Sequence, residues 1–205
     1  NEYQSLLKKG IYDERWVDFL PNKGKQIGGY SYKEYETNPY IMMNYNYDFN
    51  SLATLAHECG HSMHSKLSHE NQVYPKADYS SFLAEIASTF NESLLLDSLM
   101  KNAKSSEEKK YYIVNQIDRI IATFFRQALI AEFDLKIHTL VEKNIPLTTK
   151  LLKQEYRALY EFYYGNDCIN IDKEIEMEWA RILHLYRYDF YVFQYLNIFP
   201  GRCDS

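Results

Sequence analysis

His57 and His61 stand four residues apart in the stretch Leu55-Ala56-His57-Glu58-Cys59-Gly60-His61-Ser62-Met63-His64, and Glu58 directly follows the first. On an α-helix, positions i and i+4 share a face one turn apart, so both imidazoles can aim a nitrogen at one point in space. Glu58 is turned about 100° from His57, badly placed to bind the same ion and well placed to reach a water beside it. The spacing predicts a zinc site of the hydrolytic type with Glu58 as general base; the bland alternative is a helix that happens to carry two histidines. Catalytic zinc keeps three protein ligands and an open position, so His64, a turn beyond His61, is read as a surface or supporting histidine. His69 is read as solvated.

A third ligand is sought on a second helical pattern. From Ser80 to about residue 100, Phe82, Leu83, Ile86, Ala87, Phe90, Leu94 and Leu95 recur at helical spacing, which predicts a buried helix. Glu85 and Glu92 lie seven residues apart on one face of it, with Ser88 and Thr89 between them. An unpaired buried carboxylate is very costly, and a zinc ion and a zinc-bound histidine are suitable partners. Glu85 is therefore expected as the third ligand, and Glu92 as acceptor for the outer N–H of a ligand histidine. Without the histidine motif, this acidic stripe would read as a solvent face.

The elements that must position these groups are mostly helical. Asn50-Ser51 supplies N-cap chemistry for a metal helix over about 51–68, with Leu52, Leu55, Ala56, Cys59, Met63 and Leu67 on its apolar side. Residues 28–31 and 40–45, rich in β-formers and bounded by Gly, Asn and Pro, read as strands. The second is expected as an edge strand beside the metal helix, on which an extended peptide could be laid by main-chain hydrogen bonds, or else as a hairpin that merely covers the core. A capping box at Ser105-Ser106-Glu107-Glu108 opens one very long helix, or two joined end to end, to about residue 142. Further helices are expected over 149–164, ending before Gly165-Asn166, and from Ile171 to His184, before an aromatic stretch over 186–195. Arg119, Arg126, Glu132 and His138 are read as structural.

Composition narrows the partners. The 205 residues carry a net charge of −5 with basic residues spread thinly, which argues against a nucleic-acid surface and points to peptides or small molecules. No run of about 18 apolar residues and no basic-then-apolar start is present, so neither a membrane span nor an export signal is expected. Three widely spaced cysteines, Cys59, Cys168 and Cys203, fit a reducing compartment and hence the cytoplasm.

Gly-Gly-Tyr-Ser (28–31), Pro-Tyr-Ile-Met-Met-Asn-Tyr (39–45), the histidine motif (55–65) and Phe-Leu-Ala-Glu-Ile-Ala-Ser-Thr-Phe-Asn-Glu (82–92) together resemble oligoendopeptidase F, a bacterial group of the thimet-oligopeptidase-like zinc peptidases. The block from His184 to Tyr195 is similar to that family's C-terminal aromatic motif. The resemblance implies a mainly α, zincin-type catalytic domain with a small β-sheet, about residues 27–46, beside the metal helix. It implies one Zn²⁺ per chain held by His57, His61 and Glu85, Glu58 as general base, and short peptides as substrates. His184 with Tyr188 or Tyr191 would donate hydrogen bonds to the substrate carbonyl or oxyanion, while Gly28, Gly29, Met43 and Asn44 would line the peptide. Phe193 stands where relatives carry a tyrosine. Family members are much longer, so residues 1–205 are expected to be a single C-terminal catalytic domain without its helical N-terminal part. The alternative is a remnant that keeps zinc but turns over no peptide.

Overall fold

The computed structural model describes residues 2–165, 170–188 and 190–198. Cys168, Cys203, Asn166, Asp189 and the tail from 199 onward lie outside the described residues. The chain divides into two compact units, Asn1–Tyr112 and Ile113–Ser205.

In the first unit, helix α1 (Glu2–Tyr12) is followed by a turn that brings Trp16 under Gly10. A Cβ at Gly10 would fall 2.4 Å from the indole, so only glycine admits this contact. Trp16 is 1% exposed, its indole N–H donates to Glu14 Oε2 at 3.0 Å, and the Lys66 ammonium lies 5.9 Å from its ring centre. The chain then enters β1 (Val17–Asp18), β2 (Tyr30–Tyr32) and β3 (Tyr40–Met42), ordered β1-β3-β2. β1 runs parallel to β3 with Val17 opposite Ile41, and β2 runs antiparallel to it with Tyr30 opposite Met42.

This order corrects the expected edge strand. β3 is the central strand, with pairing on both flanks, so no peptide can be added to it. Beyond it, the Met43 and Tyr45 N–H groups donate to Asp18 and Phe19 carbonyls. Ile41, Met42 and Met43 are all buried, the consecutive burial expected of a central strand rather than the alternation of an edge. The edge nearest the metal helix is β2. Gly28 and Gly29 form the loop before it rather than part of it, Gly28 at φ 92° where glycine is favoured.

Helix α2 (Phe49–Asn71) carries the histidine motif. Its N-cap is Asp48, whose Oδ1 accepts from Ser51 N–H at 2.7 Å, and not the expected Asn50-Ser51 pair. After the short α3 (Tyr74–Ala77), α4 (Ser81–Asn102) packs along α2, capped by Ser80 Oγ. The burial of α4 is inverted relative to the sequence expectation. Its polar residues Glu85, Ser88, Thr89 and Asn91 are buried, while Phe82, Leu83, Ile86, Phe90 and Leu94 are exposed. The polar groups can go inside because α2 offers partners: the Asn91 amide donates to Ala56 O at 2.6 Å and accepts from Tyr3 O–H at 3.1 Å.

Helix α5 (Ser106–Ile120) starts with Ser105 Oγ accepting from Glu108 N–H and the Glu108 carboxylate accepting from Lys104 N–H. In the second unit it passes through one π turn (Ile121–Phe125) into α6 (Arg126–Glu142). Helix α7 (Thr149–Tyr164) ends at Gly165, whose φ of 77° suits a glycine cap. The stretch expected as a helix over 171–184 is instead a 3-10 helix (Lys173–Arg181) and then α8 (His184–Arg187), followed by a second 3-10 helix (Val192–Ile198). Leu129, Ile130, Phe133, Tyr156, Leu159, Ile182 and Val192 form this unit's core. At its margin Glu178 accepts from Arg126 and from Tyr156 O–H; burial opposes its charge, but these donors hold its carboxyl below the usual range. Among the described residues no helix is long and apolar enough to cross a membrane.

Candidate metal centre

Three side chains of the first unit converge. The Nε2 atoms of His57 and His61 lie 3.1 Å apart, and Glu85 Oε2 lies 3.3 Å from the first and 3.5 Å from the second. Donors bound at about 2.0–2.1 Å around a tetrahedral centre sit roughly 3.3 Å from one another, so the triangle has the size a divalent transition metal requires. Among the described residues, His57, His61 and Glu85 are the group able to hold a metal ion.

Local chemistry favours the arrangement. His57 presents Nδ1 to Glu92 Oε1 at 2.6 Å, which leaves Nε2 directed at the triangle. Burial disfavours a charged His57, yet hydrogen bonds to Glu85 and Glu92 outweigh it and push its pKa up to about 10. Burial likewise acts against the Glu85 carboxylate, and the His57 and His61 contacts override it, holding the group well below the usual carboxylate range. Glu85 is 3% exposed and the two histidines are partly buried, so the triangle is a largely buried, partly charged cluster from which a proton must leave if a cation is to enter.

Glu58 is 6% exposed and burial raises its pKa, with His57 and His61 pulling the other way. A carboxylate raised in this manner is a better proton acceptor near neutrality. Gly29 lies against it: a Cβ there would stand 3.4 Å from Glu58 Oε1 and 3.1 Å from Thr54 Cγ2. Gly28, Met43 and Asn44 join Ser51 and Thr54 around a cleft of about 300 Å³. Asn44 Nδ2 donates to Gln26 O and Gly28 O, which fixes the glycine loop. Met43 is 1% exposed, so its side chain is core and it can offer a ligand nothing beyond backbone.

His184, Tyr188 and Tyr191 belong to the second unit. The His184 ring stacks on Tyr191 at 5.6 Å and lies 6.2 Å from Tyr188, and Tyr195 closes the group. His64 stacks on Tyr79 at 3.7 Å, in keeping with a supporting position. His69 is not solvated as expected; its side chain is 6% exposed, packed beside Tyr35 and 3.7 Å from Asp78. Ser88 and Asn91 received no role from the sequence, and neither did Gly60. The one available signal was Gly60 itself, since a glycine inside a helix costs about 1 kcal/mol against alanine and so points to a packing need.

Comparison with known proteins bears on this geometry. The model of peptidase family M3 matches residues 2–203. The chain belongs to peptidase family M3. Among M3 relatives, oligopeptidase PepF of Bacillus subtilis (strain 168) is 46% identical over 194 residues, covering 95% of this chain and 28% of the relative. An oligoendopeptidase F homolog of Borreliella burgdorferi is 42% identical over 98% of this chain and 35% of its own length. Of solved structures, a putative peptidase from Chlamydophila abortus superposes with a TM-score of 0.74 at 43% identity, over 96% of this chain and 33% of that one. The mainly helical M3 architecture with its small sheet is thus shared, and this chain spans about a third of the length of the relatives it matches.

Proposed function

We propose that the chain is the zinc-binding part of an endopeptidase acting on short peptides through an activated water. The observation that carries this is the triangle of His57, His61 and Glu85 donors with Glu58 next to it on α2. Two nitrogens and one carboxylate oxygen at these separations suit zinc with a coordination position left open. When bound, zinc supplies a water of lowered pKa and a Lewis acid for the scissile carbonyl.

The chain's own groups do the rest. Glu58 takes the proton of the attacking water and returns it to the leaving amine, a role its buried, raised carboxyl suits. Glu92 accepts the Nδ1–H of His57, which orients the ring and, once the ring is neutral, puts its lone pair on Nε2. Gly28 and Asn44 line the cleft, Gly29 lies against Glu58, and the outer flank of β2 offers main-chain hydrogen bonds to an extended peptide. His184, Tyr188 and Tyr191, grouped within the second unit, carry hydrogen-bond donors of the kind a developing oxyanion needs, each worth about 3 kcal/mol.

Zinc uptake and one substitution test the reading. The metal-free chain titrated with Zn²⁺ binds one equivalent, and Glu58→Gln binds the same amount while its cleavage of a mixed peptide pool, read by mass spectrometry, falls by about 10²–10⁴. A chain that takes up no zinc would rule out the metal centre, and undiminished cleavage by Glu58→Gln would rule out the base.

A further inference from the structure

Helices α2 and α4 approach closely beside the donor triangle. Gly60 sits on α2 directly before His61, and a Cβ placed on it would fall 2.5 Å from Ser88 Cα, 2.6 Å from Ala87 O and 2.9 Å from Ala87 C. All three are backbone atoms, so no side-chain rotation relieves the clash; the helices would have to separate. Ser88 is itself fully buried, one turn after Glu85. Its hydroxyl is shared between Glu85 O at 3.0 Å and Glu85 Oε2 at 3.1 Å. Oε2 is the oxygen turned towards His57 and His61. A carboxylate oxygen has two lone pairs, so one can meet the hydroxyl while the other faces the triangle.

From this contact we propose that Gly60 and Ser88 are positioning residues for Glu85: the missing side chain at 60 sets the helix separation, and the Ser88 hydroxyl fixes which way the carboxylate points. The inference rests on the metal-binding reading above. Ligand sets must be held within about 0.5 Å of their working geometry, and a helix pair wedged apart at this level moves Glu85 by more than that while His57 and His61, on one helix, stay together. The pair therefore acts on how tightly and in what geometry a metal is held.

Gly60→Ala, Ser88→Ala and, as a control on the same helix, Ser93→Ala test this in the full chain. Ser93 Oγ donates to Thr89 O and is remote from Glu85 Oε2. Helicity and thermal midpoint are recorded without metal, zinc affinity by competition with a chromophoric chelator, and coordination geometry from the visible absorption of the Co²⁺ form. Gly60→Ala is expected to stay helical, to lose at least tenfold in zinc affinity and to give an altered Co²⁺ band. Ser88→Ala is expected to keep the parent's thermal midpoint and lose roughly tenfold, the lower end of what lost outer contacts cost a metal site, with Ser93→Ala unchanged. Parent-like affinity and a parent-like Co²⁺ band in both Gly60→Ala and Ser88→Ala would overturn the proposal. Should Gly60→Ala fail to fold, Ser88→Ala alone decides, and parent-like affinity in it is the overturning result. A parent chain that takes up no zinc would instead remove the metal centre, an outcome separate from either.

Discussion

A metal bound at the donor triangle would have to displace a proton from His57. Without metal, its pKa rises from 6.5 to about 10, so its contribution to stability is fully present below 6.5 and is lost as pH climbs through about 10. Glu85 behaves oppositely: its lowered pKa contributes stability above 4.5 that disappears as pH falls. The thermal midpoint of the metal-free chain should therefore be highest between 4.5 and 6.5 and decline steadily towards pH 10. Zinc affinity should run the other way, rising about tenfold per pH unit below 10 for each proton displaced, as titrations at pH 6, 7 and 8 would measure. Glu92→Gln should weaken zinc binding about 10- to 100-fold in the same titration, because the outer N–H of His57 loses its charged acceptor. The residues of the triangle could be read from the chain because i, i+4 spacing fixes His57 and His61 on any helix, and because acids among apolar positions demand partners. Gly60 and Ser88 could not, since their meaning depends on a distance between two helices that no periodicity encodes.

At the scale of elements, the start of α2 gives a sharp contrast. Asp48→Ala removes the acceptor for Ser51 N–H and should cost about 1 kcal/mol in urea unfolding, whereas Asn50→Ala should stay within roughly 0.5 kcal/mol. Both residue types cap helices well, which is why the sequence pointed to the nearer pair. α7 was legible almost to the residue, through its helical pattern and the Gly stop after it, and α4 to within about two residues through its apolar spacing. β1 was not: two residues in parallel pairing carry no alternation to detect. The 3-10 helix at Lys173–Arg181 was read as α because nine residues cannot separate a period of 3.0 from one of 3.6. Most instructive is α4, where apolar spacing correctly gave a helix and wrongly gave its inner face. Glu85 and the polar groups beside it occupy that face, against the usual segregation of apolar residues inside and polar ones outside.

Over the whole molecule, all candidate ligands fall within the first unit, while the second has a core of its own around Phe133 and Tyr156. Phe82, Ile86, Phe90 and Leu94 recur every four residues as an exposed apolar stripe, with Phe90 63% exposed. A stripe of this kind favours association. Phe90→Glu should reduce concentration-dependent light scattering and change the thermal midpoint little, since the ring contributes little buried area. The two tryptophans also divide between the units, Trp16 in the first and Trp179 in the second. Trp16, sealed beneath Gly10 and Lys66, sits in a dry setting that favours short-wavelength emission, whereas Trp179 is only half-buried, its N–H held by Glu176 O. The chain thus carries a built-in fluorescent reporter for each unit, and excitation at a single wavelength can follow the loss of α1 packing and the loosening of the second core as two resolvable components.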